Sequence, residues 1–216
     1  MLQKVFFGKD NRLCWCWNRV WTKKSATILI MWHGKHSSKD SQTYIDMEQI
    51  CTKLAIDIFR FDFWGHGESL PTDKSNQFTI NQWTQDRSEV IEYIFSLWYS
   101  SYIFLASSIS MPALLPHLPI FEQDNKVIWY IFFSGWNKNA DYTYLKTIGP
   151  QCTKSTYWIF GEHDTAIPLQ KSISIAKAFE NSEIHIVPWA DHSFTKTGNK
   201  EARLHIAEQF LTSLIA

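Results

Sequence analysis

The hydrophobic pattern of the chain alternates between two kinds of segment. Short apolar runs, rich in β-branched or aromatic residues and bounded by polar turns, are typical of buried strands. These runs are residues 12–17, 27–32, 57–63, 102–106, 127–133, 157–160 and 183–187. Apolar residues at helical spacing mark residues 41–55, 79–98, 169–179 and 199–214. This order predicts an α/β fold with a mostly parallel central sheet and helices on both faces.

Length and composition restrict the class of protein. The chain has 216 residues, which is the size of one α/β domain, so we expect a single domain over residues 1–216. Hydrophobic residues make up 45% and charged residues 19%, a balance that supports a packed core and excludes a disordered chain. Because Lys+Arg and Asp+Glu both number 21, no excess of positive charge indicates a nucleic-acid partner.

The longest uncharged stretch, residues 93–121, is long enough to be tested as a membrane span. Several serines and the prolines Pro112, Pro116 and Pro119 interrupt it, so a buried strand with its flanks is the better interpretation. The apolar triplet at residues 5–7 is too short for the hydrophobic region of a secretory signal. We therefore expect a cytoplasmic protein without a transmembrane segment.

The four cysteines contain no Cys-x-x-Cys pair, and neither a zinc site nor a disulfide framework is indicated. Cys14 and Cys16 lie two positions apart in an apolar run, where we expect buried thiols. The histidines near predicted strand ends show no metal-ligand spacing: His33, His36, His66 and His163. The sequence predicts neither a metal nor a cofactor.

Two chemical signals follow predicted strands in the first half of the chain. His33 and Gly34 precede Lys35, and a His-Gly pair lets the backbone turn and point an amide N–H inward, as an oxyanion site requires. The second signal is a turn with Gly65 and Gly67, whose spacing indicates backbone conformations that other residues resist.

A third signal lies where the strand at residues 102–106 runs into small residues. Ser108 has Ala106 two positions before it and Ser110 two positions after it, and a tight turn from strand to helix needs small residues there. Ser107 and Ser110 are rival nucleophiles. Ser108 best fits the centre of the turn.

The fourth signal is a pair of loops after the last two predicted strands, which carry Asp164 and His192. A serine nucleophile needs a base within hydrogen-bond reach and a carboxylate that orients the base. Asp191 is an alternative acid. However, neighbouring side chains on an extended segment point apart, which favours Asp164 as the partner of His192.

With these motifs the chain resembles the α/β-hydrolase superfamily, in particular its small serine esterases and acyl hydrolases with a minimal cap. Residues 60–69, RFDFWGHGES, are similar to the strand-and-turn signature of that family, and residues 161–168, GEHDTAIP, to its acid loop. The resemblance extends from about residue 33 to residue 192. It implies Ser108 as nucleophile, His192 as base and Asp164 as the orienting acid. It also implies oxyanion donors from the backbone N–H groups of Lys35 and Ile109.

The turn around Ser108 departs from the family pattern G-x-S-x-G, because Ala106 and Ser110 occupy the glycine positions. A non-glycine residue held in a strained conformation costs on the order of 1–3 kcal/mol. Pro112 is compatible with the first turn of a following helix, whereas Pro116 would interrupt it. We therefore expect a short or kinked helix after Ser108.

Members of the superfamily often insert a cap after the sixth strand. Here only residues 134–156 separate two predicted strands, which leaves room for a minimal lid at residues 136–150 and predicts an open or shallow site. His33, Gly34, Trp136 and Trp189 are candidate substrate-binding residues. The tryptophans either line an acyl pocket or fill the edges of the core.

The function implied by these residues is a serine hydrolase that cleaves carboxylic esters or thioesters of small molecules through an acyl-enzyme intermediate. An acyltransferase or a peptidase would use the same triad. The remaining alternative is a catalytically weak binding protein with the α/β-hydrolase fold. The absence of glycine at positions 106 and 110 keeps this alternative open.

Overall fold

The computed structural model describes residues 2–8, 13–18, 25–69, 80–135 and 147–215. Its strands are β1 (Leu2–Phe7), β2 (Leu13–Asn18), β3 (Thr27–Trp32), β4 (Asp57–Phe61), β5 (Ser101–Ser107), β6 (Val127–Phe133), β7 (Ser155–Gly161) and β8 (Ser182–Val187). Its helices include α1 (Gln42–Lys53), α2 (Ile80–Ser96), α3 (Ser110–Leu114), α4 (Leu118–Gln123), α5 (Leu169–Ala176) and α6 (Thr197–Ile215). Short 3₁₀ turns span Leu115–His117 and Gly149–Gln151.

The strands form an eight-stranded sheet, and the chain divides into two compact units, Met1–Tyr102 and Ile103–Ala216. In the first unit the strand order is β1-β2-β4-β3. Strand β2 pairs antiparallel with both β1 and β4, whereas β3 and β4 are parallel, with Ile30 opposite Phe59. The first unit thus adds an antiparallel hairpin to a parallel pair.

In the second unit the order is β5-β6-β7-β8. Strands β6 and β7 are parallel, with Ile131 opposite Tyr157, and β7 and β8 are parallel, with Ile159 opposite His185. Parallel strands place their carboxyl ends at one edge of the sheet, where open α/β sheets bind their ligands. The loops that follow these strands therefore meet at one edge.

The predicted α/β class with a mostly parallel sheet is confirmed. Each of the seven predicted strands corresponds to an observed strand, β2 to β8. Strand β1 was not predicted: it contains Gln3 and Lys4 and leaves Phe6 47% exposed, so its sequence lacks the apolar run of a buried strand. The single domain over residues 1–216 stays a prediction.

The helix after Ser108 is short and interrupted, as expected. Helix α3 has only 5 residues and carries Pro112 in its first turn. Pro116 lies in the 3₁₀ turn that follows, and helix α4 then begins with Pro119 near its start. A proline removes one backbone donor and crowds the preceding turn, which accounts for the interruption.

Large aromatic side chains fill the interior of each unit. In the first unit the rings of Trp15 and Phe59 stack with centroids 5.0 Å apart, and in the second those of Phe132 and Trp158 stack at 4.2 Å. The thiol of Cys14 is buried as predicted, and burial raises its pKa to about 12. The side chain of Cys16 lies outside the described residues.

Among the residues that the structure describes, no helix is both long enough and apolar enough to cross a membrane. The same part of the chain contains no group of three or more His, Cys, Asp or Glu side chains arranged to hold a metal ion.

Candidate active site

The second unit brings together three of the side chains selected from the sequence. Ser108 follows β5, Asp164 lies in the loop after β7, and His192 lies in the loop after β8. The Ser108 Oγ is 2.8 Å from the His192 Nε2, and the His192 Nδ1 is 2.7 Å from the Asp164 Oδ2. The second carboxylate oxygen of Asp164 accepts the Ile167 N–H at 2.8 Å. The three groups form one continuous chain of hydrogen bonds.

The hydrogen-bond partners of the His192 imidazole determine which of its ring nitrogens carries the proton. An ionised carboxylate only accepts hydrogen bonds, so Asp164 orients the imidazole with its proton on Nδ1. The Nε2 of His192 then accepts a hydrogen bond from the Ser108 hydroxyl. This is the protonation pattern in which an imidazole can remove a proton from a serine.

Ser108 occupies a strained turn. Its φ of 53° lies in the left-handed region, and its N–H donates to the carbonyl of Phe133 at 2.9 Å. Ala106 belongs to β5 and Ser110 to α3, and neither is among the positive-φ residues that the structure describes. At these two positions, where the family pattern has glycine, the backbone is therefore not left-handed. The cost of about 1–3 kcal/mol falls on Ser108 itself.

Ser110 closes the same turn. Its buried hydroxyl accepts the Ser107 N–H at 2.7 Å and donates to the Ser107 carbonyl at 2.9 Å. Ile109 connects Ser108 to the first residue of α3. Of the rival hydroxyls, that of Ser110 is engaged inside the turn, whereas that of Ser108 contacts His192.

The loops that carry Asp164 and His192 are joined by backbone hydrogen bonds. The N–H of His163 donates to the Ala190 carbonyl at 2.8 Å. A Cβ on Gly161 would lie 2.5 Å from the Ala190 oxygen and 2.6 Å from the Asp191 oxygen. Only glycine allows this close approach, so Gly161 contributes to the short distance between Asp164 and His192.

The carboxylate of Asp191, the alternative acid, binds groups other than the His192 imidazole. Its carboxylate accepts the N–H groups of Ser193 at 3.1 Å and Thr195 at 3.0 Å, together with the Thr195 hydroxyl. Burial alone would raise the pKa of this carboxyl, but these hydrogen bonds outweigh burial and hold the pKa below its usual range. The alternative acid stabilises the turn after His192, and Asp164 is the carboxylate that contacts the imidazole.

In the first unit, His33 is buried and both of its ring nitrogens have backbone partners. The Phe63 N–H donates to Nε2 at 3.1 Å, so Nδ1 carries the proton and donates to the Gly34 carbonyl at 2.8 Å. Burial lowers the pKa of His33 to about 3, and the ring is neutral. Because the Gly34 carbonyl points to His33, the N–H of the same peptide, that of Lys35, points the opposite way.

The first unit also contains an ionic network that the sequence analysis missed. We call it the Lys39 cluster, and it comprises Lys39, Asp40, Glu48, Arg60, Asp62 and Glu68. The ammonium of Lys39 is fully buried and lies 2.6 Å from Asp40, 2.6 Å from Glu68 and 3.0 Å from Asp62. Burial lowers its pKa, but hydrogen bonds to the three carboxylates outweigh burial and raise the pKa above its usual value.

Asp62 links the cluster to the glycine turn. Its two carboxylate oxygens accept the backbone N–H groups of Lys39 at 2.7 Å and Glu68 at 2.9 Å. Gly67 has a φ of 50°, and a Cβ there would lie 2.2 Å from the Asp62 carboxylate. The only signal available in the sequence was an aspartate placed between a strand and this turn.

The remaining candidate binding residues differ in exposure. Gly34 is buried, Lys35 is exposed, and Trp189 is 67% exposed with a φ of 59°. The Trp189 N–H donates to Glu162 at 3.0 Å, and its ring lies edge-to-face on His163 at 4.8 Å. Trp136 and most of the predicted lid at 136–150 lie outside the described residues.

Comparison with known proteins adds the class of fold. No family model matches the sequence. No curated protein matches it either. Solved structures match over almost the whole chain: Est1E from Butyrivibrio proteoclasticus has a TM-score of 0.76 at 11% identity, covering 99% of this chain and 98% of its own. The Pyrococcus furiosus esterase Pf2001 has a TM-score of 0.76 at 13% identity, covering 100% and 93%.

A mammalian protein aligns equally fully. The mouse alpha/beta hydrolase domain-containing protein 10 has a TM-score of 0.74 at 15% identity, covering 98% of this chain and 99% of its own. The fold of this chain is that of the α/β hydrolases.

Proposed function

We propose that the protein is a serine hydrolase that cleaves carboxylic esters or thioesters of small molecules. The observation that carries the proposal is the hydrogen-bonded chain from the Ser108 hydroxyl through His192 to Asp164. Three residues from three separate loops share this geometry, which matches the requirements of nucleophilic catalysis by serine. The left-handed φ of Ser108 supports the proposal, because backbone strain concentrates at functional sites.

In the proposed reaction the Ser108 Oγ attacks the acyl carbon while the His192 Nε2 takes the hydroxyl proton. Asp164 holds the imidazole in place and stabilises its positive charge. The alcohol or thiol then leaves with the proton from His192, and an acyl-Ser108 ester remains. Water, deprotonated by His192, attacks this ester, and the carboxylic acid and the free serine are formed.

The negative charge on the tetrahedral oxygen requires donors that already point toward it. We assign this role to the backbone N–H groups of Ile109, which follows the nucleophile, and Lys35. Trp189 and Trp136 remain candidates for contact with the acyl or leaving group.

The experiment is labelling of the purified protein with a fluorophosphonate, which phosphonylates activated serines. Wild type and Ser108→Ala are treated in parallel, with Ser213→Ala as a control for loss of a hydroxyl in the same unit. We expect an adduct on the peptide that contains Ser108 in wild type and in the control, and none in Ser108→Ala. Ester and thioester panels then define the leaving group.

A folded wild-type protein without an adduct on Ser108 would contradict the proposal. Binding of esters without turnover in that case would favour a binding protein. An adduct on Ser108 combined with transfer of the acyl group to an amine or alcohol, or with cleavage of peptides, would instead identify the acyltransferase or peptidase alternatives.

A further inference from the structure

The end of strand β6 contacts both reacting residues of the candidate active site. The carbonyl of Phe133, the last residue of β6, accepts the N–H of Ser108 at 2.9 Å. The hydroxyl of the next residue, Ser134, donates to the backbone carbonyl of His192 at 2.5 Å. Two consecutive residues thus bind the backbone of the nucleophile and the backbone of the base.

The backbone of Ser134 is held in an unfavourable conformation. Its φ is 65°, its side chain is buried, and its N–H donates to the Ile159 carbonyl at 3.0 Å. The following residue, Gly135, has no room for a side chain, since a Cβ there would lie 2.1 Å from the Ser172 Oγ. A glycine would adopt the φ of Ser134 at a lower cost in free energy. The backbone conformation alone therefore does not explain why a serine occupies this position.

A second contact joins the end of β6 to the loop that carries His192. The guanidinium of Arg203, from α6, lies 4.9 Å from the centre of the Phe133 ring and 4.5 Å from that of Phe194. Arg203 is buried. Phe133 directly precedes Ser134 in the sequence, and Phe194 follows His192 by two residues. The packing holds the loop near β6, and the Ser134 hydrogen bond fixes the backbone of His192 itself.

We propose that Ser134 is a positioning residue for the base His192. Its hydroxyl contacts neither the imidazole nor the Ser108 hydroxyl in the hydrogen bonds that the structure describes, and it acts through the His192 carbonyl. Because the direction of the imidazole follows from the backbone of its residue, loss of this hydrogen bond lets the Nε2 drift from the Ser108 Oγ. Small misplacements of a reacting group are costly in rate. The inference rests on the proposed hydrolase function.

The test compares Ser134→Gly with Ser134→Ala. Both variants lose the hydroxyl, but glycine accepts a φ of 65° whereas alanine retains the strain. We expect both to lower kcat and the rate of fluorophosphonate labelling of Ser108 by about tenfold or more, with little change in KM. Their Tm values should differ, with Ser134→Gly the more stable of the two. Ser213→Ala, which removes another hydroxyl-to-carbonyl hydrogen bond of the second unit, should retain wild-type kinetics.

Positioning by Ser134 would be supported if both variants react equally slowly although their Tm values differ. The inference is overturned if Ser134→Gly labels and turns over at the wild-type rate, or if kcat follows Tm across the two variants. These outcomes presuppose that wild type is labelled on Ser108. An unlabelled wild type would contradict the proposed function itself, and the two failures are therefore distinguishable.

Discussion

Each compact unit builds a polar network around an aspartate that follows a parallel β-strand, and the two networks differ in where they end. In the first unit, Asp62 binds the Lys39 ammonium and two backbone N–H groups, and this ammonium contacts three carboxylates. In the second, Asp164 binds His192, and the chain of hydrogen bonds ends at the Ser108 hydroxyl.

An aspartate side chain thus has a different use in each unit. The Lys39 cluster is closed, because its ionic side chains bind one another and backbone groups of the same unit. The network of Asp164 is open at one end, on the hydroxyl oxygen of Ser108 in a strained turn. A buried aspartate therefore indicates chemistry only when its network leads to a group that can react.

The largest expected effect is that of Asp164→Asn. An amide in place of the carboxylate leaves the imidazole in the wrong tautomer, and loss of the equivalent interaction in serine triads lowers kcat by about 10⁴-fold. Folding should be preserved because the amide is nearly the same size. Ester hydrolysis and thermal unfolding measure the two quantities.

The matched control for this prediction is Asp191→Asn, which alters the residue next to His192. We expect its rate to stay within about threefold of wild type, since Asp191 binds Ser193 and Thr195. Equal losses from both substitutions would mean that the carboxylate assignment is wrong.

The next effect in size is on stability and belongs to the first unit. Asp62→Asn leaves the buried Lys39 ammonium with one partner fewer, and breaking a buried ion pair costs about 3–5 kcal/mol. Urea denaturation should show this loss in the free energy of unfolding. Asp40→Asn removes a partner whose side chain is 51% exposed, and solvent screening should reduce its cost to about 1 kcal/mol or less. A stable Asp62→Asn protein would show that the Lys39 cluster is not what holds the turn.

The smallest effect is a pH dependence that arises from His33. Its pKa in the folded chain is about 3, below the ordinary 6.5, so the unfolded chain binds the proton first as pH falls. Its contribution to stability is complete above about pH 6.5 and is lost toward pH 3, by at most about 1.4 kcal/mol per pH unit. In urea titrations His33→Asn should show a shallower decline between pH 6.5 and 4.5 than wild type, and a constant offset above pH 7.5. Parallel curves over the whole range would exclude this contribution.

The sequence predicted most strands because buried parallel strands leave long apolar runs, and it selected Ser108, Asp164 and His192 because each follows such a run. Their catalytic roles stay a proposal. Strand β1 was missed because an antiparallel edge strand carries polar residues and leaves Phe6 exposed. The contacts of Lys39 and Ser134 could not be predicted, because ion pairs and hydrogen bonds to residues distant in the sequence have no periodic signature.

The turn around Ser108 has a consequence for which sequences can form it. The left-handed strain falls on Ser108, whereas Ala106 and Ser110, two positions away on either side, adopt ordinary backbone angles. The serine at position 110 ties the turn with two hydrogen bonds that a glycine side chain could not make. Alanine and serine at these two positions are therefore compatible with a strained turn at Ser108, and such a turn does not require the pattern G-x-S-x-G.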